Sequence, residues 1–386
     1  MTKCEFLSNE ISLKLKEGRM TNKKITHYNM DAIDAENATI NIIFGERSNG
    51  KSYQVKHKKG VLKYLNTGKR FILMRRWKEE ISTDKIEQYF ADVDVAKLTD
   101  GRYNCITVYR KQLYLSFYDF DSGTTKRGEK IGYVVALSTE QNYAGASYLD
   151  VEDIIFEEFM SRSEYLANES DKLMNFRSTV DRKRNVVKIW MVGNSISRVC
   201  PYINDWELHK IISNQKQGTI ETTELPTGTF DDNGQEITLK CAIEYCQPSG
   251  QTSYAIGKHR DMLNKGSWQS DPQPHLPKSY KDYNVMFRIM FVYKDFKFCG
   301  EYLKDKETFE PCWFIYPYNG EIKPKTIVFS DQVRVSPYWQ RSLYDSTITN
   351  ISILSVLATF RETNIFYATD LCGTDFKQAI DFTIRK

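Results

Sequence analysis

The chain has 386 residues, enough for two domains with a core in each, and its 41% hydrophobic and 27% charged residues are those of an ordinary soluble protein. A net charge of +4 is too mild to mark the whole surface as a polyanion binder, so any DNA contact must come from local clusters. Eight scattered cysteines without a C-x-x-C, five unclustered histidines, and no apolar N-terminal stretch or long apolar run argue against zinc, secretion and a membrane span, and for a soluble intracellular protein.

In chain order, residues 1–38 read as a polar lead-in. A short run rich in β-branched and aromatic residues, 40–44, then enters Gly45-Glu46-Arg47-Ser48-Asn49-Gly50-Lys51-Ser52, a complete G-x-x-x-x-G-K-S, followed by Tyr53 and a lysine-rich stretch compatible with a helix. Strand, loop and helix in this order are the context of a phosphate-binding loop, whose backbone N–H groups curl around phosphate oxygens. Lys51 is expected to reach the β/γ-phosphates of a nucleotide and Ser52 to ligate Mg²⁺; the bland reading is a Gly/Ser turn beside a lysine. A break at Thr67-Gly68 and a strand over 70–76 complete a strand–helix–strand unit, which implies a parallel sheet with right-handed crossover.

A helix-compatible stretch over 78–97 precedes strand-like pieces at 104–110, 112–117 and 132–137, with a turn-rich tip at 119–130; these read as an antiparallel insertion. A strand over 153–158, a helix over 168–184 and a strand over 186–192 follow, giving an α/β, doubly wound reading for about 40–210. From residue 214 to Pro277 the chain turns rich in Gly, Pro, Thr and Asp. The expected division is therefore a P-loop ATPase domain of the ASCE type (1–213), a small linker or connecting domain (214–280) and a C-terminal domain (281–386). In the last, three strands, a strand, a helix, a strand and a helix suit an RNase H-like α/β fold.

Hydrolysis needs an acid at a second strand end. Asp153-Ile-Ile-Phe-Glu157-Glu158 supplies two, the pattern of a Walker B motif with a catalytic glutamate. Glu157 is expected to hold the Mg²⁺ hydration shell and Glu158 to orient the attacking water; a solvated acidic strand end is the alternative. No N-K-x-D is present to read guanine, which favours ATP. Asn194, after the next strand, is either a γ-phosphate sensor or a turn residue. Asp181-Arg182-Lys183-Arg184 is either a basic helix end favoured by the dipole or the source of an arginine finger for a neighbouring subunit. Lys56, Lys58 and Lys59 after the loop, and Lys126, Arg127 and Lys130 at the hairpin tip, are candidate DNA-phosphate contacts or simply solvated faces.

With these elements in place, the chain resembles the DNA-packaging (encapsidation) ATPases of small short-tailed phages of the Picovirinae type. The resemblance runs over nearly the whole length. It rests on the Gly-Lys-Ser-Tyr at 50–53, the strand over 71–76, the Ala-Leu-Ser-Thr at 136–139 with Gln141, and Ser147-Tyr148. Val151 leading to the Ile-Phe-Glu-Glu-Phe at 155–159, the Tyr-Leu-Ala-Asn-Glu at 165–169, Arg182-x-Arg184, the Gly-Asn-Ser at 193–195 and Pro201-Tyr202 complete it. Glu157 departs from the family, which usually has Asp there. The resemblance places Arg182 at the family's trans-acting arginine and Arg184 at the basic residue two further on. It implies a homomeric ring, a pentamer, docked on the portal of a procapsid in the host cytoplasm. ATP hydrolysis there drives double-stranded DNA inward, and whether a packaging RNA takes part is left open. It also implies a C-terminal domain that is vestigial as a nuclease. A two-metal nuclease needs several converging acids; Asp295, Asp331, Asp370 and Asp375 are only loose candidates. Two alternatives stand beside the motor: a terminase-like nuclease-translocase, and a nucleotide-gated binding protein without motor action.

Overall fold

The computed structural model describes residues 27–143, 145–161, 164–249, 267–268, 270–293, 296–331, 334–340 and 350–384. The expected lead-in over 1–26 and Asp295 lie outside them.

The first sheet has nine strands: β1 (Ile40–Gly45), β2 (Arg70–Arg75), β3 (Cys105–Tyr109), β4 (Gln112–Asp119), β5 (Thr124–Ala136), β6 (Val151–Glu157), β7 (Lys188–Asn194), β8 (Thr219–Phe230) and β9 (Glu236–Tyr245). Their spatial order is β3-β4-β5-β2-β6-β7-β1-β9-β8. Neighbours from β5 to β9 run parallel, while β3, β4 and β8 are antiparallel additions at the two edges. Side chains alternate across the strands, as the pleat requires. Ile42, Phe44, Ile154, Phe156, Ile189 and Met191 pack on one face with the helix Glu169–Asp181. Ile43, Phe71, Ile155 and Trp190 pack on the other, against Val55 and Val61 of the segment that follows the loop. All six residues of β1 are buried, as expected of a central parallel strand covered on both faces.

The helix after the loop is α-helical over Lys51–Val55, widens to a π-helix over Lys56–Leu62 and returns to α over Lys63–Thr67. Gly60 lies against the Phe71 ring, where an added Cβ would come within 3.1 Å of the ring and push it by a few tenths of an ångström.

One expectation is corrected. Residues 219–245, placed by composition in a connecting domain, are β8 and β9 of the first sheet, and β9 pairs in parallel with the phosphate-loop strand from Ile40↔Cys241 to Phe44↔Tyr245. The Thr-rich, turn-punctuated texture that suggested a linker is that of an edge hairpin: β8 is largely exposed.

The second sheet contains β10 (Tyr283–Tyr293), β11 (Phe296–Asp305), β12 (Pro311–Pro317), β13 (Ile327–Ser330), β14 (Trp339–Gln340) and β15 (Asn364–Tyr367), in the order β14-β13-β10-β11-β12-β15. β10, β11 and β12 form an antiparallel meander; β13 is parallel to β10 and β15 to β12. The helices Ile351–Glu362 and Asp370–Ile384 contribute Ile353, Leu357, Phe376 and Ala379 to its core. Val199, five residues after the end of β7, joins that core. Beside it, Arg198 pairs with Asp375 and Ser197 Oγ donates to Gln378 Oε1 at 2.5 Å, so the second sheet is tied to the exit of β7. Among the described residues, no helix is long and apolar enough to cross a membrane.

Candidate nucleotide site

The site forms where β1, β6 and β7 end side by side. Gly50 has φ +98°, a conformation open to glycine, and it delivers the chain into the helix at Lys51. Lys51 is 5% exposed. Its ammonium donates to the Glu46 carbonyl and, at 3.2 Å, to Asn49 Oδ1. Burial pulls its pKa below the ordinary lysine value, while Glu157 and Glu46 pull back. The Glu46 carboxylate is itself buried and accepts the Ser249 N–H at 2.6 Å. Arg47 and Ser48 are exposed at the loop's crest, and Tyr53 stacks on His57 with ring centroids 5.4 Å apart.

Across the loop, Ser52 Oγ donates to Glu157 Oε2 at 2.9 Å, and Tyr89 OH donates to Glu157 Oε1 at 2.7 Å. Burial raises the Glu157 pKa above the ordinary carboxylate value, and the two hydroxyl donors oppose that rise. The extra methylene of Glu157, compared with an Asp, therefore still brings a carboxylate to the loop serine. A hydroxyl and a carboxylate side by side are the hard oxygen donors that suit Mg²⁺.

Glu158 differs. Its φ of +57° turns the chain at the strand end, and its side chain is 62% exposed, held by Arg75 Nη2 at 2.8 Å. Behind the turn, Arg76 is buried against the Glu169 carboxylate and donates to the carbonyls of Glu158 (3.2 Å) and Phe159 (2.5 Å). Arg76 thus fixes the backbone from which both acids project. Asn194, half-buried, sits in register with Gly45, and the Ser195 N–H reaches the Gly45 carbonyl at 3.3 Å. The three strand ends bring Lys51, Ser52, Glu157, Glu158 and Asn194 together.

Arg182 and Arg184 lie elsewhere. The Asp181 carboxylate accepts the N–H groups of Asn185, Val186 and Val187 and so shapes the turn after the helix. Arg184 is spent on carbonyls, including those of Leu149 (2.6 Å), Val151 and Val180 (both 3.0 Å). Arg182 is exposed and, among the described residues, its side chain bonds the carbonyls of Gly145 (3.3 Å) and Ala146 (2.9 Å). This turn is at the start of β7. The seven residues of β7 separate it from the loop in the same chain, about 20 Å at strand rise.

The lysines after the loop, candidates for DNA phosphate or for a solvated face, are each paired with an acid. Lys56 is 4% exposed, pairs with Asp92 at 2.5 Å and lies over the Tyr89 ring. Lys58 pairs with Asp31 and Lys59 with Asp34, both at 2.5 Å. Partners 25 to 36 residues away in sequence neutralise all three, which inspection of the lysine run alone could not show. Lys126 and Arg127 are exposed on the β4–β5 hairpin, Arg127 lying 4.0 Å from the Tyr109 ring centroid, and Lys130 donates to Tyr133 OH at 3.2 Å.

Sequence reading overlooked Tyr89 and the clamp role of Arg76. Tyr89 sits in the helix Thr83–Phe90, and no motif marks it. In the second sheet, Asp375 is paired with Arg198, and Asp370 accepts the Gln273 N–H at 2.9 Å and contacts His275 Nε2 at 3.0 Å. Among the described residues no three His, Cys, Asp or Glu side chains group as a metal site.

Comparison with known proteins identifies the family. The model of the Podovirus DNA encapsidation protein (Gp16) family matches residues 22–222. The DNA packaging protein of Bacillus phage phi29 is 29% identical over 275 residues, 69% of this chain and 74% of that protein. That of Bacillus phage PZA is 29% identical over 182 residues, 46% of this chain and 49% of that one. The solved structure of the phi29 viral genome packaging motor assembly aligns over 92% of this chain and 99% of its own, with a TM-score of 0.53 and 19% identity, a likeness of fold. The family match spans more than half of the sequence and includes the phosphate loop, both acids and Asn194, so the chain belongs to the Podovirus DNA encapsidation protein (Gp16) family.

Proposed function

We propose that the chain is an ATPase that translocates double-stranded DNA into a viral procapsid, working as a homomeric ring, a pentamer, at the portal. The observation that carries this is the 2.9 Å contact between Ser52 Oγ and Glu157, with Glu158 projecting from the next residue. Bound MgATP supplies the transferable γ-phosphoryl group and the metal charge that offsets its negative oxygens. Lys51 exchanges its loop acceptors for phosphate oxygens. Ser52 and Glu157 hold the metal's shell. Glu158 leaves Arg75 to orient the attacking water and take its proton, and Asn194 contacts the γ-phosphate beside Gly45.

Arg182 completes the site of a neighbouring copy. Its distance from the loop of its own chain supports action in trans, with the neighbour's sheet offset or rotated to meet it. Arg184, committed to carbonyls, holds the turn that presents it. The strand order of the second sheet supports an RNase H-like domain, and the engagement of Asp370 and Asp375 supports a binding role for it over DNA cleavage. The first domain then extends through Tyr245 instead of ending near residue 213.

The test is Glu158→Gln, which should abolish DNA-stimulated ATP turnover while ATP still binds; full turnover in this variant would refute the mechanism. Mixing Arg182→Ala subunits with Glu158→Gln subunits should recover part of the activity, since each copy supplies what its neighbour lacks.

A further inference from the structure

The two edges of the nine-stranded sheet carry opposite charge. Residues 102–130, which hold the β4–β5 hairpin, contain six Lys/Arg against three Asp/Glu; residues 219–245, the β8–β9 hairpin, contain six Asp/Glu against one lysine. Arg102, Arg110, Lys111, Lys126 and Arg127 are exposed at the first edge, and Glu221, Glu224, Asp231 and Asp232 at the second. Both hairpins also expose large apolar groups: Phe120 is 83% exposed and Phe117 41%, Phe230 62% and Ile237 44%.

Neither edge invites sheet extension. The Val108 N–H of β3 is taken by Glu87 Oε1 at 2.8 Å, and β8 carries Pro226 with a register break before Thr229. What these edges offer a partner is therefore complementary side chains. We propose that the basic β3–β5 edge of one copy, from Arg102 through Lys130, docks head to tail on the acidic β8–β9 hairpin of the next. A contact between two different patches on identical chains closes into a ring when the rotation allows. The inference rests on the ring reading above and names the surfaces that build it. It assigns Lys126 and Arg127 to a protein contact in place of DNA.

The positions along the sheet agree with this polarity. Arg182 bonds carbonyls in the connection from β5 to β6, and both of those strands lie on the basic side of β7. The phosphate-loop strand β1 pairs directly with β9 of the acidic hairpin. Basic-to-acidic docking thus sets the half that bears the arginine against the neighbouring half that bears the loop.

The experiment measures assembly of the full chain by sedimentation velocity, with a non-hydrolysable ATP analogue and duplex DNA. Lys126→Glu/Arg127→Glu and Glu221→Lys/Asp232→Lys should each weaken association about tenfold or more, since like charges then face each other. The fourfold variant, with both edges reversed in one chain, should restore it. If reversal perturbs the fold by circular dichroism, the neutral set K126Q/R127Q and E221Q/D232N should weaken assembly in the same direction. Assembly at wild-type strength in either charge-reversed pair, or no rescue in the fourfold variant, overturns the proposal. Loss of duplex affinity in the Lys126/Arg127 pair with assembly intact also overturns it, in favour of a DNA contact. A wild type that assembles and complements in the Arg182/Glu158 mixture, yet ignores these changes, refutes only this interface; a wild type that stays monomeric refutes the ring itself.

Discussion

The two sheets use the same side chains for opposite ends. At the end of β6, Glu157 is buried among hydroxyls, those of Ser52 and Tyr89, which orient it without cancelling its charge. In the second sheet's domain, Asp375 is buried equally deeply but faces Arg198, and Glu301 faces Arg288 at 2.6 Å. A buried carboxylate whose hydrogen-bond donors are neutral retains a negative charge for a metal; a buried one matched with a guanidinium has already been neutralised. Burial alone therefore does not distinguish a site from a brace, whereas the chemistry of the nearest partner does.

The sharpest way to break this contrast is to attack the loop. Lys51→Ala removes the only ammonium seated within the loop's turn, and the effect should fall on turnover and not on folding. Losing one preorganised charge-stabilising donor typically costs about 10²–10³ in kcat. Steady-state ATPase assays with duplex DNA should show a loss of at least that size, with the thermal midpoint nearly unchanged. A large fall in stability would mean that Lys51 is a brace like Arg198.

The reverse change tests the other sheet. Asp375→Ala leaves the largely buried Arg198 without its partner, and breaking such a pair costs about 3–5 kcal/mol. Urea unfolding should show that loss. Incubation with supercoiled plasmid and Mn²⁺ should show no cleavage for wild type or variant. Metal-dependent nicking abolished by Asp375→Ala would place this acid in a nuclease site and erase the contrast between the sheets.

What the sequence made legible follows the same division. The loop, the twin acids and Asn194 stood out as candidates because their pattern is local: a few residues at fixed spacing, each at the end of an apolar run. Strand positions in both domains were readable for the same reason, from alternation and turn residues. What escaped depends on contacts between distant segments. Tyr89 reaches Glu157 across 68 positions, and Lys56 is neutralised by Asp92. The β8–β9 hairpin looked like a linker because an edge strand needs few apolar residues, and its pairing with β1 spans two hundred residues. In the sequence only the family resemblance set Arg182 apart from Arg184; in the fold Arg184 is held by carbonyls on several sides while Arg182 is exposed.

The smallest expected effect concerns how Glu157 keeps its charge. Burial favours its protonated form, and the Tyr89 and Ser52 hydroxyls favour the ionised form. Because its folded pKa lies above the ordinary carboxylate value, Glu157 binds a proton more readily folded than unfolded. Its contribution to stability is therefore greatest at low pH and is lost as pH rises through the folded pKa. Activity runs the other way, since the metal needs the carboxylate. Tyr89→Phe deletes one donor, so the folded pKa should rise further and the acid limb of the kcat/KM profile should move to higher pH, while turnover on the plateau changes little. If the limb stays in place and only the plateau falls, Tyr89 positions the helix Thr83–Phe90 and leaves the charge of Glu157 to Ser52 alone.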